Sequence, residues 1–67
     1  MNNYKALNEA VVNYIAQAES EENIGDYVGA LESLRKLKQF VDGFLDSASK
    51  SLTSSAKAKA AYDRRVL

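Results

Sequence analysis

The sequence predicts an all-α protein whose framework is an antiparallel helical hairpin. Three observations lead to this fold class. Apolar residues recur at alternating spacings of three and four in two segments, the pattern of helices that bury one face. The segments are separated only by Asn23-Ile24-Gly25-Asp26. Each segment is about 20 residues long, so the two helices can lie side by side over about 30 Å.

The first helix is predicted over residues 3–23. Ala6, Ala10 and Ile15 broaden its apolar stripe, which favours a bundle helix over the narrow seam of a two-stranded coiled coil. Gly25 is expected to be the left-handed residue that closes this helix, and Asp26 is expected to cap the next one. The stripe itself consists of Tyr4, Leu7, Val11, Tyr14 and Ala18.

The second helix is predicted over residues 26–46. Gly43 inside it costs about 1 kcal/mol relative to alanine, which suggests a close approach by Leu7 or Tyr4. The stripe consists of Tyr27, Ala30, Leu34, Leu37, Val41, Phe44 and Ala48. The expected core or partner face consists of Leu31, Leu34, Leu37, Phe40, Val41 and Phe44.

Residues 47–55 are rich in serine, and they form either a break or a continuation of the second helix. Serine and threonine hydroxyls compete for nearby backbone groups, so these residues cap helices better than they fill them. A cap near Thr53 or Ser54 would start a third helical segment over about residues 53–65, and we expect this segment to pack weakly. Residues 1–67 are then a single small helical domain.

Part of this pattern, covering about half of the chain, resembles two helical families. In tetratricopeptide repeats an aromatic and a small residue precede a Gly-Asp-Tyr turn and an alanine; the corresponding residues here are Tyr14, Ala18, Gly25-Asp26-Tyr27 and Ala30. The three-helix microtubule-interacting-and-transport domain has a similar length and a Tyr-x-x-Ala-Leu segment, to which residues 27–31 are similar. Either resemblance implies a groove or helix face that binds a peptide or helix of another protein.

The residue types argue against catalysis. The chain has no histidine and no cysteine, which removes the usual general base, the thiolate nucleophile and the soft metal ligands. Glu19, Glu21, Glu22 and Asp26 cluster near the turn, but their spacing fits no EF-hand or known carboxylate-bridged metal motif. We therefore predict no enzyme activity, no cofactor and no metal. With disulfides and common metals removed, association is the remaining way to supplement so small a core.

Charge is distributed unequally, although the net side-chain charge is zero. Residues 1–34 carry one cation and six anions, net −5, whereas residues 35–67 carry eight cations and three anions, net +5. Complementary charges orient partners and set their register more than they add affinity. The acidic turn is predicted to meet the basic tail of a neighbouring copy or a basic patch on another protein, unless the charges only solvate exposed faces.

The predicted function is that of a small helical interaction or assembly subunit that binds a protein partner, further copies of itself, or both. The predicted interface consists of Glu19, Glu21, Glu22, Asp26, Leu34, Leu37, Phe40, Val41 and Phe44. The alternative is a nucleic-acid-binding accessory protein, because a positive stripe suffices for phosphate contacts. Its contacts would be Arg35, Lys36, Lys38, Lys50, Lys57, Lys59, Arg64 and Arg65.

Membranes are not expected as partners. No apolar run approaches the roughly 18 residues of a membrane span, and the first residues lack a secretory signal pattern. The expected location is cytoplasmic, with host cytosol and virus particle equally compatible. Small cofactor-free helical chains are frequent among virus-encoded inhibitors, virion components and bacterial accessory factors, and this expectation rests on size alone.

Overall fold

The computed structural model describes residues 2–66, with side chains described as far as residue 64. This part of the chain contains two helices and no strand: α1 spans Tyr4–Asn23 and α2 spans Tyr27–Val66. The all-α hairpin is confirmed. The predicted bounds of the first helix and the predicted start of the second agree with the structure to within one residue.

Short-range hydrogen bonds fix both ends of α1 and the start of α2. The Asn3 side chain accepts a hydrogen bond from the Ala6 amide at 3.0 Å, which caps α1. Gly25 has a φ of +82°, the left-handed conformation that favours glycine, and its amide donates to the Glu22 carbonyl at 3.0 Å. The Asp26 carboxylate accepts from the Gly29 amide at 3.0 Å. The predicted roles of Gly25 and Asp26 are therefore confirmed.

The predicted end of the second helix at residue 46 is wrong, and so is a separate third helix over residues 53–65. α2 continues without interruption through the serine-rich residues 47–55 to Val66. The serines there are exposed, so their hydroxyls reach water. No proline removes a backbone donor in this segment, and the hydrogen-bond ladder of the helix therefore runs on.

Small residues form the line along which α1 and α2 meet. Ala18, Ala30, Ala48 and Ser33 are the buried side chains of the described residues, and Ser33 is only 3% exposed. Towards the turn, the Ser33 hydroxyl donates to the Glu21 carboxylate at 2.5 Å. Towards the other end, the rings of Tyr4 and Phe44 lie 5.4 Å apart. Small side chains on this line allow the helix backbones to approach closely.

The hairpin therefore has no core of large side chains. Of the six residues predicted for the core or partner face, Leu37 and Phe44 are half-buried against α1. The remaining four are exposed: Leu31, Leu34, Phe40 and Val41. Two helices share one contact line, and a broad apolar stripe extends beyond the width that a single neighbouring helix can cover.

The expected close approach at Gly43 is also wrong, because a Cβ atom there would meet nothing within 4 Å. The crowded glycine is Gly29, where an added Cβ would contact the carboxylates of Asp26 and Glu21. Gly29 therefore leaves room for the carboxylate that caps α2. The sequence analysis therefore predicted a close approach at a glycine of α2, but it assigned the close approach to Gly43 instead of Gly29.

The last part of α2, residues 53–66, is here called the tail. A shallow groove lined by Asn2, Tyr4, Ser51, Leu52 and Ser55 lies where α1 begins, and the tail runs on past this point. Every described side chain from residue 53 to residue 64 is exposed. The molecule is 61 Å long and only 17 Å and 13 Å across, so α2 alone sets its length.

Candidate functional site

One side of the hairpin carries a continuous set of exposed apolar side chains. An α-helix turns by about 100° per residue, so positions three before, one after or four after a buried residue lie on the same side of it. Both helices are right-handed and they run in opposite directions. Residues rotated by the same angle from the contact line therefore lie on the same side of the pair, whichever helix they belong to. Relative to Ala18, Ala30 and Ala48, the large apolar side chains at these offsets are Ile15, Tyr27, Leu31, Leu34, Leu45 and Leu52.

This surface is here called the open face. Val12 and Val41 extend it along α1 and α2 respectively, since both lie on the same side by helical spacing. Leu31 is 53% exposed and Leu45 is 59% exposed, so these side chains are largely in contact with solvent. Tyr27 borders this surface at the turn. The aliphatic side chains of the open face are Val12, Ile15, Leu31, Leu34, Val41, Leu45 and Leu52.

The opposite side of the hairpin differs in chemistry. The residues one position before the three buried alanines are Gln17, Gly29 and Ser47, which are polar or small. Phe40 also lies on this side by helical spacing and is 40% exposed. Because the open face is much richer in large apolar side chains than the opposite side, the hairpin is amphipathic as a unit.

The predicted apolar interface residues divide into three groups. Leu34 and Val41 lie on the open face, Leu37 and Phe44 pack against α1, and Phe40 lies on the opposite side. Sequence reasoning placed Leu31 on the expected core or partner face, but it placed four other open-face residues neither there nor in the predicted interface: Val12, Ile15, Leu45 and Leu52. The small residues Ala18, Ala30 and Ala48 are the signal that could have found them, because they mark the contact line from which the offsets are counted.

The acidic cluster at the turn also divides. Glu21 is half-buried and accepts the hydrogen bond from Ser33, and Asp26 caps α2, so both have roles within the hairpin. Glu19 and Glu22 are exposed. They lie one and four positions after Ala18, which places them on the same side as the open face. Of the four predicted acidic contacts, these two have carboxylates that take no part in the described hydrogen bonds of the turn.

The predicted basic residues do not form one patch. The described ones are all exposed. Lys38 and Lys59 lie towards the open face, whereas Lys36 lies towards the opposite side by helical spacing. The described cations are Arg35, Lys36, Lys38, Lys50, Lys57, Lys59 and Arg64. The side chain of Arg65, the eighth predicted contact, lies outside the described residues.

Three of these cations follow one line along α2. Lys50, Lys57 and Arg64 are seven residues apart, and seven residues are close to two helical turns, or about 10 Å of rise. Lys50 is two positions after the buried Ala48, so this line faces away from α1. It is the part of the predicted nucleic-acid contact set that the fold does arrange on a single surface.

Charge varies along the length of the elongated molecule, which is called the rod below. The turn end, residues 19–36, carries five anions and two cations, net −3. The tail carries four cations and one anion, net +3, and the remaining residues carry three charges of each sign. The middle of the turn end lies near residue 31 and the middle of the tail near residue 59, so the two charged regions are about 40 Å apart along α2.

Other kinds of site receive no support from the described residues. Within residues 2–66, no group of three or more acidic side chains is close enough to hold a metal ion. Among the same residues, neither helix has a stretch long and apolar enough to cross a membrane.

Comparisons with protein-family models, with curated proteins and with solved structures gave no match to this chain. The resemblance to a tetratricopeptide repeat or to a microtubule-interacting-and-transport domain therefore stays a prediction.

Proposed function

We propose that this chain is a small non-enzymatic interaction or assembly protein that binds a protein partner through the open face. The observation that carries this proposal is the large apolar surface beside a contact line whose buried side chains, among the described residues, are all small. Apolar surface gains about 25 cal/mol for each Å² removed from water. A partner that covers these side chains therefore supplies the burial that the hairpin does not supply for itself.

The proportions of the chain support the same proposal. A compact domain of this length has a radius of gyration of about 11 Å, whereas this chain has one of 18.0 Å. A compact protein of this mass exposes about 4,200 Å², whereas this chain exposes 5672 Å². The excess is about 1,500 Å², which exceeds the roughly 800 Å² that each partner contributes to a standard interface.

The acidic turn contributes orientation. Glu19 and Glu22 are exposed at the rim of the open face, so a partner seated there meets two carboxylates at one end. Exposed charges at the rim of an interface act mainly on association rate and on the choice of partner. A partner with a basic segment adjacent to its apolar surface is therefore favoured.

The proposal is tested by comparing the wild-type chain with Leu31→Gln and with a control, Ile24→Gln. Ile24 is 81% exposed in the turn and lies outside the open face. The readouts are the mass in solution by light scattering and the set of proteins retained from a cell lysate. We expect Leu31→Gln to reduce association and Ile24→Gln to leave it unchanged. A chain that stays monomeric and retains no protein in a Leu31-dependent way contradicts the proposal.

The second candidate is nucleic-acid binding, and the line of Lys50, Lys57 and Arg64 favours it. Such contacts neutralise phosphates and release counterions, so affinity falls steeply as salt rises. If this function is correct, binding to a labelled oligonucleotide at low salt is lost at moderate salt, and Lys57→Glu weakens it. The control is Lys59→Glu, which makes the same charge change two positions away, about 200° round the helix from Lys57, and leaves binding nearly unchanged. No binding at low salt contradicts this candidate.

A further inference from the structure

We infer that the open face is covered by a second copy of this chain lying antiparallel, so that each tail serves as the third helix of its partner's hairpin. This inference rests on the proposed function and names the partner. It follows from three properties of the rod: its exposed area, its charge distribution and the position of the open face along its length.

The area that the chain leaves exposed matches what a dimer buries. The excess over a compact protein, about 1,500 Å², is of the size that stable homodimers bury on each subunit. An isologous dimer uses the same patch on both copies, so one apolar face suffices for both partners. When two such rods pair through their apolar sides, these sides are buried against each other and the largely polar sides remain in solvent.

The charge distribution distinguishes between antiparallel and parallel pairing of two copies. Antiparallel pairing places the turn end, net −3, beside the tail of the other copy, net +3, and does so twice. Parallel pairing places −3 beside −3 and +3 beside +3. Like charges set against each other at an interface are strongly unfavourable. The charge distribution therefore favours the antiparallel dimer.

The geometry of α2 then fixes which segments meet. The midpoint of α2 lies between Asp46 and Ser47, so full overlap places a twofold axis there. Leu45 lies next to the axis, and Leu52 lies opposite Val41 of the second copy. The tail lies beside residues 27–40 of the second copy.

The tail has a surface that suits this position. In the second copy, residues 27–40 carry Leu31 and Leu34 on the open face, with Ile15 beside them on α1. The side of the tail that continues the open face carries Ala56 and Ala60, four residues apart, and then Asp63 near its end. Small side chains allow a helix to approach a leucine-lined surface closely.

Opposite charges flank this contact. Lys59 and Arg64 lie on the two edges of the Ala56 and Ala60 surface by helical spacing. Glu19 and Glu22 lie at the rim of the open face of the second copy, at the end that the tail covers. Residues 2–66 of the single chain form no separate third helix, and in the dimer a partner supplies one.

The first experiment measures mass against concentration for the wild-type chain, Leu45→Gln and the control Ile24→Gln. We expect the wild-type chain to reach twice its monomer mass of 7.4 kDa and to stop there. Leu45 lies at the axis and is lost from both copies, so the dissociation constant should rise about a hundredfold. The control should leave it unchanged. A wild-type chain that stays at 7.4 kDa at millimolar concentration overturns the inference, and so does equal behaviour of the two variants.

The second experiment tests orientation through charge. Reversing the two tail cations that flank the contact, with Lys59→Glu and Arg64→Glu, should weaken the antiparallel dimer about tenfold at low salt. The same change relieves repulsion in a parallel dimer and would strengthen it, which would overturn the inference. A chain with Glu19→Lys and Glu22→Lys should also self-associate weakly. Mixing the two reversed chains should restore pairing, and this readout does not depend on the stability of either variant alone.

The third experiment tests register by crosslinking, for which the absence of cysteine from the chain gives a clean background. Leu31→Cys and Ala60→Cys are introduced into separate chains, which are mixed and treated with a short thiol crosslinker. The antiparallel dimer places residue 60 beside residue 31 of the other copy, so the mixed product should dominate. A dominant Leu31→Cys homodimer product overturns the inference.

Failure of the inference and failure of the proposed function give different results. A chain that stays monomeric but retains a lysate protein in a Leu31-dependent way overturns self-association and supports the proposed function. A chain that stays monomeric and retains nothing overturns both.

Discussion

The paired part of α2, residues 27–52, and the tail, residues 53–66, belong to one continuous helix with different surroundings. The paired part contains the buried Ala30, Ser33 and Ala48 and contacts α1 along one line. Every described side chain of the tail as far as residue 64 is exposed. Helical structure therefore extends well beyond tertiary contact, and an isolated helical segment of about 14 residues is marginal in water unless something else supports it.

Two substitution pairs test this difference directly, and two more test the cap of α2 and the glycines of the paired part, each change having a matched control. All are measured at a protein concentration at which the chain is monomeric, because association adds stability to any segment that it covers.

The largest effect is expected from proline. Ser47→Pro interrupts the paired part and should lower the free energy of unfolding in urea by about 3 kcal/mol, because proline removes a backbone donor and clashes with the preceding turn. Ser54→Pro makes the same change at the start of the tail. It should reduce helicity by circular dichroism but leave the unfolding midpoint of the hairpin, followed by tyrosine signals, nearly unchanged. Equal losses of stability would show that the tail is coupled to the hairpin.

An alanine pair comes next. Ala48 is buried on the contact line, so Ala48→Leu overpacks a close helix approach and should cost about 2 kcal/mol. Ala58 is exposed in the tail, so Ala58→Leu should stay within about 0.5 kcal/mol of the wild-type chain. Urea unfolding monitored by circular dichroism measures both. A neutral Ala48→Leu would mean that the two helices do not pack closely at this point.

The cap at the start of the paired part gives a smaller effect. Asp26→Ala removes the side chain that accepts from the Gly29 amide, and should cost about 1 kcal/mol. Asp46→Ala removes an exposed carboxylate from the middle of α2 and serves as the control. Thermal unfolding of both variants checks the difference. Similar melting temperatures for the two variants would argue that the cap does not hold the turn.

Two glycines give the smallest effects. Gly43→Ala fills open space in the middle of a helix and should stabilise the chain by between about 0.5 and 1 kcal/mol. Gly29→Ala adds a Cβ against the carboxylates of Asp26 and Glu21, which must move, so the gain in helix propensity should be cancelled. Chemical unfolding of the two variants gives the comparison. Stabilisation by Gly29→Ala would mean that the carboxylates can move without loss.

The sequence predicts those features that depend on nearby residues. The bounds of α1, the left-handed Gly25 and the cap at Asp26 follow from residues within a few positions of one another. The length of α2 is harder to predict, because serines cap helices in some surroundings and are tolerated within exposed helices in others. It is harder still to predict which apolar residues are buried, since a broad stripe does not indicate which of its residues the other helix contacts. The contact line depends on Ala18 and Ala30, which lie on different helices.

Because α2 continues through its serines, the orientation of the tail about the helix axis is fixed relative to the hairpin. Each residue inserted or deleted between Leu52 and Ala56 rotates the tail about the helix axis by about 100° and shifts it by about 1.5 Å. Removing one residue would carry Lys59 away from the side of the open face. Inserting seven would lengthen the tail by about 10 Å yet restore its orientation to within about 20°. The number of residues in the serine-rich segment therefore determines which side of the tail faces the open face. This number matters more than the identity of the residues.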